Sequence, residues 1–274
     1  MIKNIVCFGE ALIDVYEDFE VVAGAPLHVA SILSTLGNKV YLCTSVGNDK
    51  NGKKIINYLL SKKINTKYVK IDNKLSTGLS KIKFTKNNST NFILDTYCAW
   101  DEITIYPKLN NYFLYLGSVA TRSLKSRNTL NKMLENKNQY IFFDPNLRKP
   151  NYNISILKKI LLNSNFIKIT YNEMKLLTKI LKIKINITQL FKLNKNLIYI
   201  FVTNGSKGSK IYSRRGLESN LVPKNKQKKI KYTVGSGDVF SAAIMHCISN
   251  DYSLIDMHHY AQNLSEKFLY KIGV

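Results

Sequence analysis

Thr233-Val234-Gly235-Ser236-Gly237-Asp238-Val239-Phe240 is the stretch around which the rest of the chain is organised. Two glycines bracket a serine, an aspartate follows, and an apolar run of Val239, Phe240, Ala242, Ala243, Ile244 and Met245 begins at once. That order predicts a tight turn opening a buried helix. Gly235 and Gly237 let the backbone come up to a ligand with no Cβ in the way. The first N–H groups of a helix lack internal acceptors and sit at the positive end of its dipole, so the turn suits an anion such as phosphate. Asp238, at the edge of such a site, is badly placed to bind the anion and well placed to take a proton from a group attacking it. A plain N-cap before an apolar run accounts for the same residues on spacing alone.

Working outward, apolar runs alternate with helical periodicity. Lys3–Asp14 reads as a buried strand ending at a ligand crevice, and Val15–Val22 as a short extended excursion. Gly24-Ala25-Pro26-Leu27-His28-Val29-Ala30 starts a helix with proline near its first turn, and Gly37 stops it. Val40–Val46 is the next strand and Gly52–Leu60 the next helix. From Tyr68 to Tyr97 the pattern becomes a half-exposed hairpin around Lys86-Asn87-Asn88-Ser89. With residues 15–22, the segment 76–97 is expected to form a small β-flap, or lid, over one end of the sheet.

After Trp100-Asp101 the strands Tyr112–Leu116, Tyr140–Phe143, Phe166–Ile169 and Leu197–Val202 interleave with helices at Ser126–Leu134, Ile154–Leu162 and Glu173–Leu181. A hairpin over Lys210–Val222 precedes the organising turn, and helices Gly237–Ile248 and Leu254–Lys271 close the chain. The expected fold class is α/β: one doubly wound, mostly parallel sheet with helices on both faces, in a single domain over residues 1–274.

Composition supports a full core, with 45% hydrophobic residues. No apolar run is long enough to span a bilayer, and residues 2–8 lead straight into a strand pattern, so the expectation is a cytoplasmic protein off the membrane. Cys7, Cys43, Cys98 and Cys247 are scattered and read as buried small hydrophobes in a reducing compartment. The formal net charge of +23 raises a nucleic-acid footprint. Lysine far outnumbers arginine, however, and the dense cluster Lys224–Lys231 has no aromatic interleaving. Drift toward Lys, Asn and Ile explains the charge without a nucleic-acid partner.

Together these pieces resemble the PfkB family of sugar kinases, with the ribokinase-like fold. Residues 233–240 are similar to its signature D-T-x-G-A-G-D-x-F, and residues 24–30 to G-G-A-P-x-N-V-A. Asp144-Pro145-Asn146-Leu147-Arg148 resembles the D-x-N-x-R segment of fructokinase-like members, and Thr203-Asn204-Gly205-Ser206-Lys207-Gly208 the nucleotide loop T-x-G-x-x-G. Gly117-Ser118-Val119-Ala120, Ser126-Arg127 and Ala99-Trp100-Asp101 point to the same branch. The matches run in family order over nearly the whole chain.

The resemblance implies an ATP-dependent kinase acting on a sugar, fructose first, with Mg²⁺ and, as an open question, a monovalent cation. It implies Asp238 as general base and Gly235, Ser236 and Gly237 as the anion hole for the transferring phosphoryl group. Asp14, Gly24, Ala25, His28, Thr96 and Arg148 would face the sugar. Asn146, Arg148, Thr203, Gly205 and Gly208 would face the nucleotide along with Gly235 and Gly237. Glu173 matches the end of the family's N-x-x-E motif, which acts on Mg²⁺ through water. Flap edges are often paired across a dimer in this family, which points to a homodimer.

Several residues depart from the pattern. His28 replaces an asparagine and reads equally well as filler of a first helical turn. Ala23 replaces a glycine, Tyr232 an aspartate, and Ser236 an alanine whose backbone alone matters. Thr170 replaces an asparagine and is expected to leave Glu173 without its usual partner, the alternative for Glu173 being a solvated helix glutamate. Thr96 stands where many fructokinases carry a flap arginine. His258 and His259 read as a polar helix face, and Cys98 as inert. The alternatives left open are a kinase for another sugar or a nucleoside, a degenerate member that binds without turnover, and a nucleic-acid binder.

Overall fold

The computed structural model describes residues 4–84, 90–136, 139–223 and 235–272. The hairpin turn at 86–89, the basic cluster at 224–231, Tyr232, Thr233 and Val234 lie outside the described residues. In chain order the strands and helices are β1 (Asn4–Phe8), β2 (Leu12–Val15), β3 (Glu20–Ala23), α1 (Ala25–Thr35), β4 (Lys39–Gly47), α2 (Lys50–Ser61) and β5 (Val69–Asp72). Then come β6 (Gly78–Phe84), β7 (Thr90–Leu94), β8 (Tyr112–Leu116), α3 (Leu124–Leu134), β9 (Gln139–Phe143), α4 (Ile154–Asn163), β10 (Phe166–Thr170) and α5 (Tyr171–Leu181). The last are α6 (Ile187–Leu193), β11 (Tyr199–Thr203), β12 (Ser209–Ser213), β13 (Gly216–Leu221), α7 (Ser236–Ser249) and α8 (Leu254–Ile272).

Among the described residues, nine strands form one sheet in the order β13-β12-β11-β10-β9-β8-β1-β4-β5. Every pairing from β5 to β11 is parallel, and β12 and β13 add an antiparallel edge. Strand β1 shows why its residues are apolar without alternation: Ile5 and Cys7 join one core and Val6 and Phe8 the other, as a strand covered on both faces requires. Helices α1, α2, α7 and α8 fill the first core, and α3, α4, α5 and α6 the second.

Residues 3–14 do not make one strand, as the apolar run suggested. Gly9, at φ 146°, breaks it, and a Cβ there would come within 2.6 Å of Pro26 Cγ. The chain leaves the large sheet after Phe8 and enters a second, four-stranded sheet ordered β3-β2-β6-β7. Asp14 therefore stands on β2 of the small sheet, not at the end of a strand of the large one. Leu12, Ala23, Cys98, Trp100 and Val119 form a separate buried cluster against which Leu94 of the small sheet packs.

Two elements escaped the sequence reading. Strand β5 lies inside the stretch read as the start of a hairpin, yet it pairs parallel to β4 at the edge of the large sheet. Helix α6 is short, and only Leu190 and Phe191 are buried on it. His258 also differs from expectation: it is fully buried, with Nε2 2.9 Å from Ser209 Oγ and Nδ1 2.7 Å from Ser219 Oγ. Burial pulls its pKa down to about 4, so it is a neutral packing residue joining α8 to β12 and β13. His259 beside it is exposed, as a polar helix face requires.

The Ala99-Trp100-Asp101 motif acts as a brace. Arg122 donates Nε to Asp101 Oδ1 at 2.8 Å and Nη2 to Oδ2 at 2.6 Å, and its guanidinium lies 3.8 Å from the Trp100 ring centroid. Ser126 Oγ donates to the Trp100 carbonyl at 3.1 Å. All four cysteines are free and buried, and burial raises the Cys98 thiol far above its usual range. Among the described residues no helix is long and apolar enough to cross a membrane.

Candidate active site

Helix α7 starts where the glycine turn predicts. Gly235 is its N-cap at φ 88°, a left-handed position that favours glycine, and no side chain caps it. Ser236, Gly237 and Asp238 form the first turn, so their amides lie at the positive end of a 14-residue helix. The turn opens onto a cleft of about 440 Å³ between the two sheets. Asp14 on β2, His28 in the first turn of α1, and Asp238 all line it. So do Gly24, Ala25, Asn146, Arg148, Glu173, Gly235 and Gly237.

The remaining candidates lie elsewhere. Thr96 is exposed beyond β7 and does not line the cleft. Thr203, Gly205 and Gly208 are absent from its walls too. Thr203 pairs in register with Thr170, so the 203–208 loop leaves the same, carboxyl, end of the strands as the cleft residue Thr170.

His28 Nδ1 lies 3.2 Å from Asp238 Oδ2, joining the first turn of α1 to that of α7. Burial works against a charge on His28, but the bond and charge of Asp238 and the charge of Asp14 outweigh it, and its pKa stands above the usual histidine value. Burial likewise raises the Asp14 carboxyl, with His28 and the Ser80 hydroxyl holding it back. Arg148 stacks on the ring of Phe92, 3.9 Å from its centroid, and so ties the segment after β9 to the small sheet.

Glu173 keeps a partner after all, contrary to the expectation drawn from Thr170. Thr170 Oγ1 donates to Glu173 Oε2 at 2.8 Å, the Thr170 amide does so at 2.9 Å, and the Glu173 amide donates back to Thr170 Oγ1 at 3.1 Å. This capping box opens α5, and threonine makes it as well as asparagine does. The other carboxylate oxygen accepts the Leu147 amide at 3.2 Å, which anchors the Asn146–Arg148 segment.

Sequence reasoning missed two ionisable groups. Lys168, on β10, lines the cleft and pairs with Asp144 at 3.0 and 3.1 Å, while Ser241 Oγ on α7 donates to the same carboxylate at 2.8 Å. A Cβ on Gly237 would sit 2.9 Å from Lys168 Nζ, so the second glycine of the turn makes room for a cation beside the helix N-terminus. The available signal was a single lysine in the otherwise apolar run Phe166–Ile169. Burial pushes the Asp144 carboxyl up to about 6 while Lys168 pulls it back, and the charges of Asp144 and Glu173 raise the Lys168 ammonium against its own burial.

The other missed group is Glu10, buried at 5% exposure on the cleft wall, with Oε2 unpartnered among the described residues. Burial pushes its carboxyl up to about 7, backbone amides of Glu10 and Ala25 pull it back, and Asp238 pushes it further. A carboxyl with a higher pKa folded than unfolded favours the fold while protonated. That contribution is complete below the unfolded value near 4.5 and is lost as pH rises through about 7. The loss amounts to about 3 kcal/mol. Glu10→Gln is therefore expected to gain stability over wild type progressively from pH 5 to pH 8 in urea melts. A difference that stays constant over that range would contradict the assignment.

These observations define a class first: a ribokinase-like α/β protein, whose glycine turn and aspartate line a cleft at the carboxyl ends of the parallel strands, together with residues of a small second sheet. A profile of the pfkB family of carbohydrate kinases matches residues 2–273, and the chain belongs to that family. It is a sugar kinase, a phosphotransferase acting on an alcohol group. A probable chloroplastic fructokinase of Arabidopsis thaliana is 26% identical over 92% of this chain and 71% of its own length. The fold matches a Vibrio cholerae fructokinase double mutant bound to fructose, ADP and potassium, with TM-score 0.82, 18% identity and coverage of 100% of this chain and 99% of that one. It also matches a Salmonella enterica aminoimidazole riboside kinase complexed with its riboside and an ATP analogue, with TM-score 0.81, 15% identity and coverage of 96% and 92%.

Proposed function

We propose that the chain transfers the γ-phosphoryl group of ATP to a hydroxyl of a small sugar, with fructose as the acceptor. The observation that carries this reading is the convergence of Asp14, His28 and Asp238 on one cleft that Gly235 and Gly237 also line. The acceptor hydroxyl binds between Asp14, His28 and Asp238. Asp238 accepts its proton as the oxygen attacks the γ-phosphorus and the bond to the leaving ADP oxygen breaks. The first-turn amides of α7 and the neighbouring Lys168 face the charge gathering on the transferring group. Gly24 and Ala25 shape the sugar end, Asn146 and Arg148 reach the phosphates, and the 203–208 loop flanks the nucleotide. The small sheet serves as a lid, fastened at Arg148 and Phe92.

The same geometry fits Mg²⁺ arriving with the nucleotide. Among the described residues no three His, Cys, Asp or Glu side chains cluster as a metal cage, so phosphates and water would supply most ligands. Glu173, on the cleft wall, would order that water, and the ion would neutralise phosphate charge. Four buried free thiols fit a reducing compartment, and we place the enzyme in the cytoplasm.

The test is ADP release with Mg-ATP over a panel of ketoses, aldoses and nucleosides. Fructose is expected to give the highest kcat/KM. Turnover confined to a nucleoside would end the fructose reading, and no turnover with any acceptor would favour a member that binds without reacting.

A further inference from the structure

Two arginines stack on aromatic rings at nearly the same distance, and they use their edges differently. Arg122 lies 3.8 Å from the Trp100 ring centroid and spends its planar fork on the Asp101 carboxylate. Arg148 lies 3.9 Å from the Phe92 ring centroid, and among the described residues its guanidinium forms no hydrogen bond or ion pair. Both Arg148 and Phe92 line the cleft. Two carboxylates that line it too are engaged with other partners: Asp238 meets His28, and Glu173 accepts from Thr170 and Leu147. A ring against the face of a guanidinium leaves its in-plane N–H donors available, whereas a carboxylate partner consumes the fork and cancels the charge.

The main chain leading to Arg148 is tied down on the side of the large sheet. The Ser118 amide donates to the Pro145 carbonyl at 3.0 Å, Ser118 Oγ to the Asn146 carbonyl at 3.3 Å, and the Leu147 amide to Glu173 at 3.2 Å. These bonds fix where the side chain starts, not where its long stem ends. Phe92 supplies the far support, from β7 of the small sheet, where it pairs with Ile82 of β6. We infer that Phe92 is a positioning residue for Arg148: its ring holds the guanidinium by the face, so that the N–H fork is kept for the nucleotide's phosphates. The inference rests on the reading of Arg148 as a phosphate ligand. The small sheet thereby contributes to phosphate binding through a residue that carries no charge and bonds no phosphate. A fork already held in place loses less freedom when the anion arrives, and bidentate contact with phosphate needs a fixed plane.

Steady-state kinetics of Phe92→Leu, Phe92→Tyr, Arg148→Lys and the double variant Phe92→Leu/Arg148→Lys, beside wild type, decide it, with thermal melts to establish that each is folded. Phe92→Leu is expected to lower kcat/KM for Mg-ATP about tenfold, the size of a desolvated cation–π contact. Phe92→Tyr keeps a ring face and is expected to restore most of that rate. Lysine keeps the charge but has neither flat face nor fork, so Phe92→Leu should cost less than about threefold further beside Arg148→Lys. A Phe92→Leu protein as active as wild type, a Phe92→Tyr protein as slow as Phe92→Leu, or a loss undiminished beside Arg148→Lys overturns the inference. The last two results would make Phe92 a packing residue of the cleft wall. Full activity in Arg148→Met overturns instead the reading of Arg148 as a phosphate ligand, so the two failures are separable.

Discussion

Asp238→Asn is expected to lower kcat for sugar phosphorylation by about 10²–10⁴-fold, the usual contribution of a positioned general base. The amide has nearly the carboxylate's shape and can still accept from His28 Nδ1, so the 3.2 Å contact survives and the helix start is undisturbed. Only the capacity to take the hydroxyl proton is removed. The KM for the acceptor should therefore change little and kcat should fall, the pattern of an interaction made in the transition state alone. Steady-state rates with saturating Mg-ATP, beside thermal melts of both proteins, decide the matter. A variant within about threefold of the wild-type kcat, well short of the usual loss, would show that Asp238 is a helix-terminal residue and no more.

Lys168→Met is expected to be the most damaging single change to stability near the site, and to cost activity as well. Lys168 and Asp144 are buried, at 7% and 1% exposure, and bond to each other at 3.0 and 3.1 Å. Removing one partner strands a charge in the interior, typically at about 3–5 kcal/mol. In a chain of this size that lowers Tm by roughly 10 °C. Asp144→Asn in the same protein removes the stranded charge and keeps an acceptor for the Ser241 hydroxyl, so the double variant should recover much of the loss. Activity should not recover with it, because the cation beside the α7 N-terminus is still missing. Urea titrations of the four proteins in the cycle give the coupling. A Lys168→Met variant destabilised by less than about 1 kcal/mol would mean that the pair is not held as drawn.

The first of these experiments could be designed from the sequence, and the second could not. The sequence alone determined most strands of the large sheet, because strands covered on both faces are apolar along their length. Tyr112–Leu116 and Phe166–Ile169 were legible for that reason. It also determined the turn at Gly235, since glycine before a helix leaves a local mark.

Other features depended on partners distant in the chain. A run of apolar residues from 3 to 14 carries no sign that Gly9 hands it from one sheet to another; the clash with Pro26 that requires glycine there exists only in the folded chain. Strand β5 is short and half exposed, and pairing with β4 makes it a strand. Glu10 and Lys168 look like a surface acid and an ordinary lysine until burial and the Asp144 pairing, 24 residues away, give them their properties. His28 and Asp238 are separated by 210 positions, and tertiary structure alone brings them to 3.2 Å. Local periodicity encodes which face of an element is buried, and so the fold. Charge, proton affinity and mutual reach are set by what the other elements place alongside, and so belong to the folded molecule.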